Sequence, residues 1–176
     1  MTISEVLNAS EDESARFQKF FAWVLPWEVT VNKSGQIVPE RVDSHGVTFA
    51  GLNEEDDHLD LKTLSSHWVV SKYIGNYWKP ARAEELPDPV CYAVANFAVN
   101  CGVGRASKFL QRALGLKDDG AIGPDTLTHS FQVDAVELAR DVIDYGRRYY
   151  HSLGENNPNL KGWLNRTADL EAKFCG

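Results

Sequence analysis

The chain is 176 residues long, 43% apolar and 24% charged, with a formal net charge of −7. That composition suits one ordinary folded domain and excludes disordered, collagen-like and coiled-coil chains. The longest apolar run, Phe20 to Trp27, holds eight residues and contains Pro26, well short of the roughly twenty that cross a bilayer, and no basic stripe is present to neutralise a nucleic-acid backbone.

In chain order, Ser10-Glu11-Asp12-Glu13 has the form of a capping box, and Phe17, Phe20, Phe21, Val24 and Leu25 recur behind it at helical spacing. This predicts a helix over 11–25 that stops before Pro26 and leaves Glu28 just past its end. Val29-Thr30-Val31 and Gln36-Ile37-Val38 are β-prone, and the Asn32-Lys33-Ser34-Gly35 turn between them predicts a small hairpin. The run DSHGVTFAGL, Asp43 to Leu52, reads as an irregular loop or a third short strand. The acidic run EEDDHLD at 54–60 reads as a solvated loop or a helix start, with a spacing unlike that of a calcium-binding EF-hand.

Helical patterns dominate from Asp60 onward. Leu61, Leu64, Trp68 and the stretch from Tyr73 to Trp78 predict one helix, and Asp88-Pro89 places a cap and a first helical position for a second over 89–100. Gly102 and Gly104 break that helix; Ala106, Phe109, Leu110 and Ala113 continue as a third, which Gly115 ends. Gly123-Pro124 opens a short helix, Asp134 with Glu137 caps a long one, and 158–174 form the last. The expectation is a mainly α chain of six or seven helices and one hairpin.

The chain has no glycine-rich phosphate loop, HExxH or CxxC, and its five histidines, at 45, 58, 67, 129 and 151, are scattered. No metal and no cofactor is expected. Cys91, Cys101 and Cys175 are an odd number without metal spacing, read as buried or free thiols, with a Cys91–Cys101 disulfide as the alternative. What remains is carboxylate chemistry. Glu28, beside Trp27 at the end of an aromatic-rich helix, is placed where desolvation keeps a carboxyl protonated for general-acid work. Asp43 follows in a polar loop where it stays ionised, with Thr48 five residues on to hold water. The same Glu28 also fits a surface ion pair flanking the hairpin.

The run YWKPARAEELPDPVCYAVANFAVNCGVGRASKFLQRALGLKDDGAIGPDTL, Tyr77 to Leu127, closely resembles the middle of the glycoside hydrolase family 108 muramidases. It shares their YW, leucine-proline helix start, AVNxG turn, LQxxLG helix and DGxIGPxT loop, and GWLNR at Gly162 to Arg166 resembles their GW-x-x-R tail. The likeness covers about 20–175. It implies a lysozyme-like α+β fold in a single compact domain 1–176, with a catalytic half over 11–100 and a helical, peptidoglycan-binding-like half over 101–176. It also implies an N-acetylmuramidase in which Glu28 takes the general-acid position and Asp43 and Thr48 hold or activate water. Trp27, His45, Tyr77, Trp78, Asn96 and Asn100 are the candidates for lining a sugar cleft, with Trp68 a further aromatic; core packing is the alternative for each aromatic, and helix capping for Asn100. Arg105, Lys108 and Arg112 form a modest basic group suited to an anionic peptide stem or to a solvated helix face.

The chain departs from that family at four places. Val29 and Thr30 replace the glycines after the glutamate, His45 replaces a further glycine, Asn96 stands where aspartate is usual, and the gap to Asp43 is longer. Altered specificity, or a peptidoglycan-binding or partner-binding protein that has lost hydrolysis, are therefore alternatives, as is a lytic transglycosylase. The expected partner is the peptidoglycan glycan strand, met as a monomer. Because the N-terminus lacks the basic-then-apolar order of a signal peptide, the chain is expected to be made in the cytoplasm. It would then act in the periplasm or on the wall after holin-dependent lysis or specialised secretion.

Overall fold

The computed structural model describes residues 1–39, 41–43, 46–50, 52–53 and 64–176. They divide into two compact units, Met1–Asn76 and Tyr77–Gly176. The expectations for His45, His58 and the acidic run lie outside the described residues.

The first unit opens with α1 (Ile3–Asn8), a short helix the sequence pattern missed, capped by Thr2 and Glu5 in a reciprocal capping box. The box expected at Ser10 does not form: its hydroxyl donates back to the Leu7 carbonyl at 2.7 Å. Ser14 instead caps α2 (Ala15–Glu28) by accepting from the Phe17 amide at 3.2 Å. Helix α2 runs through Pro26, where a stop was expected, and Glu28 is its last residue. A proline costs the bond to the carbonyl four residues back; that carbonyl is on Ala22, which like Pro26 is exposed, so water can satisfy it.

Strands β1 (Thr30–Val31) and β2 (Ile37–Val38) pair as the expected hairpin, Thr30 opposite Val38. Asn32 sets its turn by accepting from the Ser34 and Gln36 amides at 2.9 and 3.0 Å, and Gly35 supplies a φ of +75°. The chain start extends this edge, with the Ile37 amide donating to the Met1 carbonyl at 2.9 Å. A second, three-stranded antiparallel sheet, β3 (Arg41–Asp43), β4 (Gly46–Phe49) and β5 (Leu52–Asn53), stands where a loop or single strand was read. Helix α3 (Ser66–Tyr73) closes the unit. Its core joins α2 to this sheet: Phe17 stacks on Phe21 at 5.2 Å, Tyr73 meets Phe21 edge-on at 5.1 Å, and the Tyr73 hydroxyl donates to the Ala50 carbonyl at 2.9 Å.

A π-helical turn, Ile74–Trp78, spans the division between the units. The second unit is helical: α4 (Val90–Cys101), α5 (Val103–Ala113), α6 (Pro124–Ser130), α7 (Ala135–Ser152) and α8 (Leu160–Phe174). Pro89 caps α4 where it was expected as the first helical residue. Every residue of α4 from Val90 to Ala98 is buried, which makes it the central helix. Gly146 allows α7 to approach it, since a Cβ there would lie 2.0 Å from the Phe97 ring. The described residues thus hold eight α-helices against six or seven expected, α1 being the addition. No helix among them is long and apolar enough to cross a membrane.

Candidate functional site

Glu28 is half-buried at the C-terminus of α2. The next residue, Val29, is already extended at φ −123° and ψ 142°, so the chain passes from helix to strand within one residue of the carboxylate. Trp27 and Val31 on either side are 41% and 45% exposed, large apolar surfaces beside an ionisable group. An apolar face next to a carboxyl is the pairing a sugar ring requires: one surface to stack on, one group to exchange a proton.

Asp43 lies on strand β3, opposite Gly46, and not in the polar loop where the sequence put it. Thr48 lies on the central strand β4, opposite Arg41 and Asn53, and is half-buried. Phe49 on β4 and Leu52 on β5 are buried. Asp43 and Thr48 thus belong to neighbouring strands of one sheet, in the same unit as Glu28. His45, between β3 and β4 in sequence, is outside the described residues.

The other sugar-binding candidates divide. Tyr77 and Trp68 are half-buried, and the Lys72 ammonium lies 5.3 Å from the Trp68 ring centre. Trp78 is a correction: it is 4% exposed and its indole nitrogen donates to Glu84 at 3.0 Å, a core role. Asn96 is another, fully buried on α4 and accepting from the Arg166 guanidinium at 2.7 Å. Asn100, half-buried, donates to the Tyr150 hydroxyl at 2.5 Å, so its amide ties α4 to α7. Amides and aromatics at helical spacing carry the same pattern whether they face a cleft or a core, and here burial decides.

The DGxIGPxT loop is held from inside by Gln111, a residue sequence reasoning passed over. Its side chain is 2% exposed. It donates to the Asp119 carboxylate at 2.7 Å and the Ala121 carbonyl at 2.9 Å, and accepts from the Gly120 amide at 2.9 Å. The Ala121 amide and the Gln111 amide together hold the Asp119 carboxyl below its usual range. The LQxxLG and DGxIGPxT motifs are thus two sides of one structural staple. The basic group is also engaged: Arg105 lies 4.4 Å over the Tyr149 ring and Arg112 pairs with Asp118 at 2.7 Å. None of the three cysteines forms a disulfide, and burial pushes the Cys101 and Cys175 thiols up. Among the described residues no three His, Cys, Asp or Glu converge to hold a metal.

Residues 28–102 match the family model described as glycosyl hydrolase 108, and residues 105–168 match that of a predicted peptidoglycan domain. The first match opens at Glu28 itself. Among solved structures the chain is similar to SagA of Brucella abortus, with a TM-score of 0.74 and 24% identity over 91% of this chain and 95% of that one. That likeness shows the fold, mainly α with small antiparallel sheets, lysozyme-like. No curated protein matches.

Proposed function

We propose that the chain is a peptidoglycan hydrolase of the glycosyl hydrolase 108 type, an N-acetylmuramidase cleaving the β-1,4 bond between N-acetylmuramic acid and N-acetylglucosamine. Glu28 protonates the leaving glycosidic oxygen, Asp43 with Thr48 orients the attacking water, and Trp27 carries a sugar ring. The observation that carries this reading is Glu28 at the helix end, half-buried beside exposed Trp27, at the residue where the glycosyl hydrolase match begins. General acid catalysis of this kind contributes about 10²–10⁴ in rate.

Val29 and Thr30 alter what can approach the chain more than the path it takes, because an extended backbone such as that of Val29 needs no glycine. They narrow the approach to Glu28 and so favour a restricted substrate over lost hydrolysis. The enzyme meets its substrate in the periplasm or at the wall, reached by lysis or a dedicated secretion route.

Purified protein incubated with sacculi should release muropeptides, and Glu28→Gln should abolish release while leaving the thermal unfolding curve in place. Mass spectrometry of the products identifies hydrolysis by reducing ends; anhydro ends would reassign the chain as a lytic transglycosylase. Wild-type protein that binds sacculi without cleaving them would replace the proposal with a binding protein.

A further inference from the structure

The segment matching the peptidoglycan domain has its motif loop closed on itself by Gln111, so wall recognition by this half must come from elsewhere. One open cleft of about 370 Å³ lies within the match, where the end of α7 meets the start of α8. Its size is in the range of small-ligand sites.

Leu160, buried, and Leu164, half-buried, four residues apart on α8, give the lining its apolar part. Lys161 and Asn165 stand beside them on the neighbouring stripe of the same helix, both exposed. From the end of α7 and the connection after it come His151 and Glu155, paired at 2.8 Å, and Asn157. The connection between the helices is fixed by local bonds: Gly154 at φ +116° donates to the His151 carbonyl at 3.0 Å, and the Asn157 side chain accepts from the Asn159 amide at 3.0 Å. The cleft is therefore formed before any ligand arrives.

No aromatic side chain lines it, which argues against a sugar ring, whose apolar face calls for a stacking partner. The lining offers leucines for methyl side chains, amides for a peptide backbone, and both an ammonium and a carboxylate. That set complements a short peptide bearing both a free carboxylate and a free ammonium. We propose that this cleft binds the peptide stem of peptidoglycan, Lys161 meeting a stem carboxylate and Glu155 the ammonium of its diamino acid. The inference rests on the peptidoglycan reading above, and it assigns to the second unit the peptide while the first takes the glycan.

The test is calorimetric titration of the full chain with the soluble tetrapeptide L-Ala–D-Glu–diaminopimelate–D-Ala. Wild-type protein should bind it; Lys161→Glu should weaken binding by tenfold or more, ~1.4 kcal/mol or above, and Asn165→Ala by less. Amidating the peptide's carboxylates should have an effect like that of Lys161→Glu, and N-acetylglucosamine oligomers should not compete. Lys161 and Asn165 are exposed, so unchanged circular dichroism and melting in the variants would confirm that the fold is kept. No binding of the tetrapeptide, or equal binding by wild type and Lys161→Glu, overturns the assignment. Glu28→Gln should bind the tetrapeptide as wild type does. Peptide binding without sacculus cleavage by the wild type sinks the muramidase reading and leaves this one; cleavage without peptide binding does the reverse.

Discussion

Glu28 and Gln111 lie one in each unit of the chain, and their settings are opposite. Glu28 ends a helix, half-buried, with an exposed tryptophan before it and a strand after it. Gln111 lies inside a helix, buried, with its amide bonded on both sides to a neighbouring loop. A motif residue at the open end of an element is in a position to do chemistry; one enclosed and hydrogen-bonded on every side is holding structure. The comparison makes a paired prediction. Glu28→Gln should lower the rate of sacculus cleavage by about 10²–10⁴ with little change in stability. Gln111→Ala should act the other way, removing the partner of Asp119, Gly120 and Ala121 at a cost of about 2 kcal/mol. At this chain length that lowers the melting temperature by roughly 4–8 °C. Below its transition the Gln111→Ala protein should still cleave sacculi near the wild-type rate. If Gln111→Ala lost activity while melting normally, the distinction between the two units would fail.

The same contrast explains what was legible in the sequence. Long helices of the second unit were readable because each has a wide apolar stripe and a punctuating glycine, proline or aspartate cap, as at Gly102, Pro124 and Asp134. The first unit was harder. Helix α1 is six residues long, too short for a periodic signal, and is specified by one capping box and the burial of Val6. Strands β3 to β5 are two to four residues each, so their alternation is visible only once the register is known. Pro26 misled because the rule against proline in a helix concerns a buried or interior bond, and here the affected turn is the last and faces water. Among site candidates, Glu28, Asp43 and Thr48 could be named from spacing and resemblance. The burial of Trp78 and Asn96 could not, because it depends on what packs against them.

The first unit offers a smaller break of its own. Tyr73→Phe keeps the ring against Phe21 and removes only the hydroxyl bonded to the Ala50 carbonyl, beside the turn that joins β4 to β5. The expected loss is about 1 kcal/mol, read as a shift in the urea midpoint. Because β4 carries Thr48, cleavage should fall with it, which no hydroxyl deletion in the second unit should do.

Tyr150→Phe is that control, and its signature is in the pH dependence. Burial pushes the Tyr150 phenol well above its usual range, with Cys101 beside it adding to the rise and the bond from Asn100 opposing it. The folded state therefore keeps a proton that the unfolded chain gives up above about pH 10. A raised pKa of this kind contributes stability fully present below that point and lost as pH climbs, at up to about 1.4 kcal/mol per pH unit for one group. Near neutrality the variant should be less stable than wild type by about 1 kcal/mol, the worth of the Asn100 bond. Between about pH 10 and pH 11 the wild type should lose stability faster and the two urea midpoints should converge. A gap that stayed constant across that range would mean the phenol ionises as freely in the fold as out of it, and the second unit's enclosed polar groups would not be held as tightly as the Gln111 comparison requires.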